Sequence, residues 1–402
     1  MRFRNSHVTW WASAALLVAL FLAPVYRPAS FATPLFVEYP WGQAAMRVLL
    51  LALIPACGWW AMGGSQLQPG EKRGVLFLAL ACGFVGEVIH YWVVDHGTYF
   101  ATIYFADNTA WQRMMHEKIV GLSPAHTPHS FRFLPDAIVS VFIWLTGKFV
   151  FSRVVYRAIF NVMLFVCVYR FARVYLSTLF SAGVVLVLTI VYPISILKYA
   201  GQFVDPASHL SFALCYFAMA RQYDAPFIPS VLVGILCKES IIVMPLCRLL
   251  AGPWRRRKML VGALGLTAAV ALAFWIRFYV ARGNPAYMID HVHPGHLWQN
   301  LHAYREWAPL YLASFGILLP GTVLGWRLMD RSFQITCLVV VVAMIVSSAR
   351  YSWLAELRNL VPAFILMAVV NMRYLEAIYG APTGSSRATG PIERGEGPEL
   401  PP

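Results

Sequence analysis

Residues 333–349 read FQITCLVVVVAMIVSSA, an apolar run without a charged side chain. A helix needs roughly 20 mainly apolar residues to cross the hydrocarbon core of a bilayer. Eleven further windows share this character: 8–25, 44–63, 75–94, 136–151, 154–172, 176–197, 207–220, 227–250, 259–280, 308–326 and 359–377. The pattern predicts an all-α, polytopic transmembrane helical bundle of about twelve spans, with short helices in its outer loops.

The composition agrees with burial in lipid. Hydrophobic residues make up 59% of the chain and charged residues 12%, against about 25% charged residues in an average soluble protein. So little polar surface cannot cover a water-exposed globule. Windows 136–151 and 207–220 are shorter than a full span, and each is interpreted as a tilted half-span, a re-entrant element or a core helix shielded from lipid.

The net charge of +14 does not indicate a nucleic-acid partner, because the basic residues are scattered between apolar runs. Lys and Arg in short loops stay cytoplasmic, so these residues instead orient the helices. Counting through twelve windows leaves Arg170, Arg173 and Arg221 on the outer side. The same count places on the cytoplasmic side the basic clusters at 2–4, 72–73, 148–153, 255–258 and 327–331, together with both ends of the chain.

The windows and loops divide the chain into three parts. Residues 1–74 carry two N-terminal transmembrane helices, and residues 75–379 form the transmembrane core. Residues 380–402 are rich in Gly, Pro, Ser and Glu and are predicted to be a disordered cytoplasmic tail. Two outer loops of the core, 95–135 and 281–307, are long, and loops of this size usually carry function.

Ionisable groups inside the apolar windows mark candidate sites, because each costs about 2.5–3.5 kcal/mol at membrane depth. Glu87 and His90 lie three residues apart and share one helical face. Lys238 and Glu239 are adjacent, and since neighbours on a helix point about 100° apart, each is expected to have a partner on another helix. Both pairs are interpreted either as polar contacts between helices or as the lining of a cavity.

The first long loop gathers acidic, basic and histidine side chains, and it runs through Phe131-Arg132-Phe133-Leu134-Pro135 into the fourth window. A carboxylate here, Asp95 or Asp107, could take a proton from an attacking hydroxyl, while Arg132 could hold a phosphate bidentately. The alternative is that these carboxylates are only solvated. Other ionisable residues of the loop include Arg113, His116, Glu117, Lys118, His126 and His129.

The second long loop contains His291, His293 and His296. Their spacing could hold zinc or manganese, but Asp290 is the one nearby carboxylate and no Cys accompanies them. A polar loop near the membrane surface is therefore favoured over a metal site. A divalent cation is the one cofactor left open.

Arg350, Glu356 and Arg358 crowd the outer end of the last window. Guanidinium groups beside a membrane suit anionic head groups or pyrophosphates. The alternative is an ion pair that fixes the helix end.

Together these features resemble the GT-C superfamily of polytopic glycosyltransferases, which use polyprenyl-phosphate-linked sugars as donors. The resemblance covers roughly residues 75–375, and the two long outer loops fall where the family has them. The chain lacks the paired acidic dipeptide of better-known members. The motifs that carry the resemblance are an Asp-rich first outer loop, Arg132-Phe133-Leu134-Pro135 with Asn161 in the following span, Asp205-Pro206, Lys238-Glu239, and Glu356-x-Arg358 followed by Pro362.

The resemblance implies a glycosyltransferase, inverting in stereochemistry, at the outer face of a bacterial inner membrane. Asp95 or Asp107 would then be the general base. Arg132, Lys238 and Arg358 would neutralise the lipid phosphate of the donor, and Glu239 and Glu356 would join them in the donor-binding site. The resemblance does not indicate the sugar or the acceptor.

A rival interpretation is a transporter or flippase with a polar path through Glu87, His90, Lys238 and Glu239. Matching broken helices in two halves would favour it, but the sequence shows no internal repeat. A non-catalytic membrane subunit of an envelope polysaccharide pathway is the third interpretation.

Overall fold

The computed structural model describes residues 69–89, 113–120, 131–196, 204–252, 256–276, 295–352 and 354–380. Within these ranges the chain is helical and contains no β-strand. Five helical segments are long and apolar enough to cross a membrane, which supports the assignment of a helical membrane protein. They are Phe149–Ala172, Arg256–Trp275, Tyr304–Leu328, Arg331–Arg350 and Leu357–Tyr379.

The described residues form thirteen α-helices. They are α1 (Pro69–Ile89), α2 (113–120), α3 (Phe133–Thr146), α4 (Phe149–Ala172), α5 (Thr178–Ile196), α6 (Val204–Arg221), α7 (Phe227–Cys237), α8 (Val243–Leu250), α9 (Arg256–Trp275), α10 (Gly295–His302), α11 (Tyr304–Gly325), α12 (Arg331–Tyr351) and α13 (Val361–Tyr379). Short 3₁₀ turns follow α7 and α11 and precede α13, at Glu239–Ile242, Trp326–Leu328 and Leu357–Leu360.

The helices differ in how much of their apolar surface the protein covers. In the most apolar stretches of α4 and α13, 56% and 61% of the residues are buried, against 17% in α9, 28% in α11 and 33% in α12. Large side chains such as Phe274, Leu312 and Val342 remain exposed on the latter three. Exposed apolar faces of this extent need an apolar solvent, and a bilayer provides one.

Contacts between helix ends define one end of the bundle, named here the Glu71 end. Arg173, just after α4, donates to Glu71 at the start of α1 over 2.7 Å. The Ser177 amide, before α5, donates to Glu376 near the end of α13 over 2.8 Å. The end of α4 and the starts of α1 and α5 therefore lie together with the end of α13.

The Glu71 end also includes the ends of α6 and α8 and the start of α9. Asp224, after α6, pairs with Arg248 of α8 and with Arg257 of α9. The Arg170 guanidinium lies 4.8 Å from the ring centre of Phe217, which ties α4 to α6 here. Arg170, Arg173 and Arg221 thus lie at the same end as Arg257. The twelve-window count, which placed them opposite the 255–258 cluster, is wrong on this point.

The twelve-window count fails first at window 136–151, which contains no complete crossing. His116 of α2 contacts both Asp136, in the first turn of α3, and Phe149, the first residue of α4. The starts of both helices therefore lie close together. The chain turns back at Gly147, whose φ of 67° suits a residue without Cβ. Lys148, predicted to share a side with 255–258, lies at the opposite end, so that placement is wrong.

The count fails a second time at window 227–250, which is a helical hairpin. Lys238 has extended backbone angles and interrupts the helix after Cys237. The Arg248 guanidinium stacks over the Phe227 ring at 4.7 Å, so the hairpin begins and ends at the Glu71 end. A Cβ on Gly234 would lie 2.7 Å from Cγ1 of Ile241, and glycine therefore permits the close return.

By contrast, window 207–220 belongs to a full helix. α6 runs from Val204 to Arg221, between Asp205 at one end and Asp224 beside the other, so it is not a half-span. Most of its residues are buried, which agrees with the alternative of a core helix shielded from lipid. The expectations for residues 1–68, including the spans 8–25 and 44–63, and for the tail 381–402 lie outside the described residues.

The side of each loop can be tested with single cysteines in a cysteine-free background. We expect Ser177→Cys and Arg73→Cys to react with a membrane-impermeant maleimide from the same side of the membrane, and Arg305→Cys to react from the opposite side. The physical reason is the shared helix end around Glu71 and Arg173. Labelling of Ser177→Cys and Arg73→Cys from opposite sides would restore the twelve-window arrangement.

Candidate functional site

The opposite end of the bundle, named here the Asp205 end, holds a cluster of six charged side chains. Five of them, Arg132, Lys238, Glu239, Glu356 and Arg358, were predicted from the sequence as donor-binding residues. The sixth, Asp205, had been singled out only as part of a family-like segment. They come from the starts of α3, α6 and α13, the tip of the α7–α8 hairpin and the turn after α12.

Asp205 is the buried centre of this cluster. One carboxylate oxygen accepts from Lys238 Nζ at 3.3 Å, and the other lies 3.5 Å from an Arg358 nitrogen. The side chains of Asp205 and Arg358 are only 2% and 4% exposed. Buried charges of this kind persist only where they are paired and hydrogen-bonded.

Lys238 reaches this centre because the helix breaks at its own position. Besides Asp205, its ammonium donates to the amide oxygen of Asn359 at 2.6 Å. The expectation of one continuous helix through Lys238 and Glu239 is wrong. The expectation that each of them has a partner on another element is confirmed, since Glu239 accepts from Arg132.

Glu356 closes the cluster on the α12 side. It accepts hydrogen bonds from Arg358 and from the Ser352 hydroxyl, both at 2.9 Å, and a longer one from Asn359 at 3.4 Å. Burial opposes its ionisation, but the charge of Arg358 and the hydrogen bonds from Arg358 and Ser352 outweigh this, so the pKa of Glu356 lies below its ordinary value.

Arg132 and Glu239 form the most accessible edge of the cluster. Arg132 is the residue before α3, and its Nε donates to a Glu239 oxygen at 3.3 Å. Their side chains are 15% and 23% exposed, more than those of the other ion pairs in the cluster. A ligand that approaches from outside therefore meets this pair before it meets Asp205.

A second polar group lies nearby and was not predicted as a site. Nδ1 of His116 is 2.9 Å from an Asp136 carboxylate oxygen, both side chains are buried, and Nε2 lies 3.3 Å from the Ser140 hydroxyl. Tyr156 packs in one buried cluster with Val139 of α3 and with Ala207 and Cys237, which lie close in the chain to Asp205 and Lys238, so the two groups are neighbours. The His116–Asp136 pair holds α2, which is part of the first long loop, next to the charged cluster.

The remaining predicted residues are not brought into the described site. Asp95, Asp107, His90, His291 and His293 lie outside the described residues. Glu87 belongs to the last turns of α1 and His296 to α10, but the described part does not include their side chains. Within the described residues, no three His, Cys, Asp or Glu side chains are grouped so that they could hold a metal ion.

Sequence reasoning missed Asp205, Asn359 and the His116–Asp136 pair as site residues. Asp205 carried a usable signal, because an acidic residue at the start of an apolar helix needs a cationic partner. Asn359 carried none, since an amide beside Arg358 has no distinctive spacing. The pairing of His116 with Asp136 depends on how the loop folds back.

The burial of Asp205 generates a stability prediction. Asp205→Ala should lower the free energy of unfolding by about 3–5 kcal/mol, because it leaves Lys238 and Arg358 without their shared counter-charge. Arg373→Ala, which breaks the partly exposed Arg373–Glu376 pair, should cost less than about 1 kcal/mol. Denaturant titration of the detergent-solubilised protein measures both. Equal losses would show that the Asp205 cluster does not hold the helices together.

No protein-family model, curated protein or solved structure matches this chain. The resemblance to GT-C glycosyltransferases therefore has no support from a relative. It depends on the short motifs of the chain itself. Because a fold alone does not determine a function, the function has to be argued from the chemistry of the described cluster.

Proposed function

We propose that this protein is a membrane glycosyltransferase that moves a sugar from a polyprenyl-phosphate-linked donor to an acceptor at the outer face of a bacterial inner membrane. The observation that supports the proposal is the convergence of separate motifs. Arg132, Lys238-Glu239 and Glu356-x-Arg358 are more than 100 residues apart in sequence, yet they join one cluster. A shared role in binding an anionic substrate would account for this convergence.

The cluster has the chemistry that a phosphate leaving group requires. Arg132 offers a planar guanidinium at its accessible edge, and Lys238 and Arg358 add positive charge behind it. Preorganised cations of this kind stabilise the charge that develops on a leaving group, which is often the largest catalytic contribution. The pairing with Asp205 and Glu356 holds Lys238 and Arg358 in place before a substrate arrives.

The proposed reaction is a direct displacement. A carboxylate of the first long loop, Asp95 or Asp107, takes the proton of an acceptor hydroxyl, and the hydroxyl oxygen then bonds to the anomeric carbon of the sugar. The bond from that carbon to the phosphate oxygen breaks, and the lipid phosphate leaves with the bonding electron pair. Attack from the face opposite the phosphate inverts the configuration of the anomeric carbon.

The positions of the helix ends suggest a membrane topology that agrees with a site at the outer face. With the Glu71 end in the cytoplasm, eight helices cross the membrane: α1, α4, α5, α6, α9, α11, α12 and α13. The α7–α8 hairpin then enters from the cytoplasmic side, and α3 stays at the outer side. Windows 8–25 and 44–63 would bring the total to ten spans and keep both termini cytoplasmic.

The general base can be tested by isosteric substitution. Either Asp107→Asn or Asp95→Asn should slow sugar transfer by about 10²–10⁴, because it removes the base but keeps the side-chain shape. Asp290→Asn, in the second long loop, serves as the matched control and should retain activity. Arg132→Ala should raise KM for the donor. The assay follows transfer from polyprenyl-phosphate-linked sugars by the full chain in nanodiscs.

Two outcomes would contradict the proposal. If the wild type consumed no lipid-linked sugar with any candidate acceptor, the proposed activity would be wrong. Full activity of both Asn variants would exclude the first loop as catalytic. If substrate flux across the membrane depended on Glu87 and Lys238 instead, the transporter interpretation would replace the enzyme.

A further inference from the structure

The charged cluster is balanced before any ligand arrives. Arg132, Lys238 and Arg358 contribute three positive charges, and Asp205, Glu239 and Glu356 contribute three negative charges. A phosphate group adds at least one more negative charge to this partly buried place. Unpaired charge is costly there, and the phosphate would gain a counter-charge if one of the three carboxylates released its cation.

Asp205 and Glu356 are poorly suited to this release. Asp205 is buried and bridges Lys238 and Arg358. Glu356 accepts from Arg358, Ser352 and Asn359. Moving either carboxylate would leave buried donors without acceptors.

Glu239 is suited to release its cation. Its side chain is the most exposed of the six, at 23%, and its ion pair with Arg132 is also the most exposed in the cluster. It sits on the 3₁₀ turn at the hairpin tip, beside the helix break at Lys238. A rotation of this side chain toward water would free the Arg132 guanidinium and leave the bonds of Asp205 and Glu356 unchanged.

We propose that, before the donor binds, the Glu239 carboxylate occupies the position at Arg132 that the donor phosphate will take. When the phosphate headgroup binds the Arg132 guanidinium, the Glu239 carboxylate turns away toward water. This inference rests on the proposed phosphate-binding function of the cluster. It makes Glu239 a residue that sets affinity by competing with the ligand. Arginine suits the exchange, because its planar fork binds carboxylate and phosphate in the same geometry.

Competition predicts that removing the Glu239 charge improves binding. Glu239→Gln should tighten the binding of farnesyl phosphate by about two- to fivefold, the equivalent of a partly exposed ion pair. Arg132→Gln should weaken it. In the Arg132→Gln background, Glu239→Gln should have no further effect, since no guanidinium remains to compete for. Isothermal titration of the full chain in detergent measures each dissociation constant.

Four controls isolate the headgroup, the position and the charge. Farnesol, which lacks the phosphate, should bind equally to the wild type and to Glu239→Gln. Inorganic phosphate reports whether the headgroup alone shows the same preference. Glu306→Gln removes the same charge from an exposed position at the start of α11 and should leave the affinity unchanged. Glu239→Ala should act in the same direction as Glu239→Gln, which separates charge from side-chain shape.

Several results would overturn the inference. Unchanged or weaker binding by both Glu239 variants would show that Glu239 does not compete with phosphate. Tightening that persists without Arg132 would show a general charge effect. Binding that needs Mg²⁺ in the wild type and is lost in Glu239→Gln would make Glu239 a cation ligand. If wild type binds no farnesyl phosphate at all, the phosphate site of the proposed function fails as well, whereas the other results leave that site standing.

Discussion

The buried Asp205 carboxylate, held between Lys238 and Arg358, is the interaction on which the Asp205 end of the bundle depends. It joins the start of α6 to the tip of the α7–α8 hairpin and to the start of α13. An isolated charge in this position would be costly, and only the simultaneous presence of both cations makes it stable. The three chain segments are therefore coupled, because each supplies a charge that the others need. Arg132 and Glu239 add to this arrangement at its accessible edge.

The helix break at Lys238 allows its side chain to reach Asp205. A continuous helix through residues 227–250 would carry Lys238 and Glu239 on different faces, and one of them would point toward lipid or apolar side chains. The extended backbone at Lys238 turns both residues toward the Asp205 end. Gly234 lets the returning segment pack close against α7. Irregular backbone in the interior of a membrane bundle is tolerated where it is enclosed by protein, as it is here.

The two ends of the bundle use charge differently. At the Glu71 end, separate contacts such as Arg173–Glu71 and Ser177–Glu376 each connect two helix termini. At the Asp205 end, ion pairs and amide hydrogen bonds are concentrated in one partly buried group, with the His116–Asp136 pair beside it. Structural pairs need only fix helix ends, whereas concentrated and preorganised charge is what an anionic substrate needs. This contrast places the candidate site at one end of the bundle.

The sequence by itself determined that the chain is helical and apolar enough for a membrane, because the cost of charge in hydrocarbon is visible in composition alone. It also indicated a set of charged site residues, since charged side chains in or beside apolar windows are costly unless they have a partner or a function. These are Arg132, Lys238, Glu239, Glu356 and Arg358. Only the tertiary structure decided which windows run from end to end, because an apolar stretch has the same composition in a crossing, a hairpin or a short helix. It alone brought the site residues together, since contacts between residues 107 and 121 positions apart leave no periodic trace in the chain.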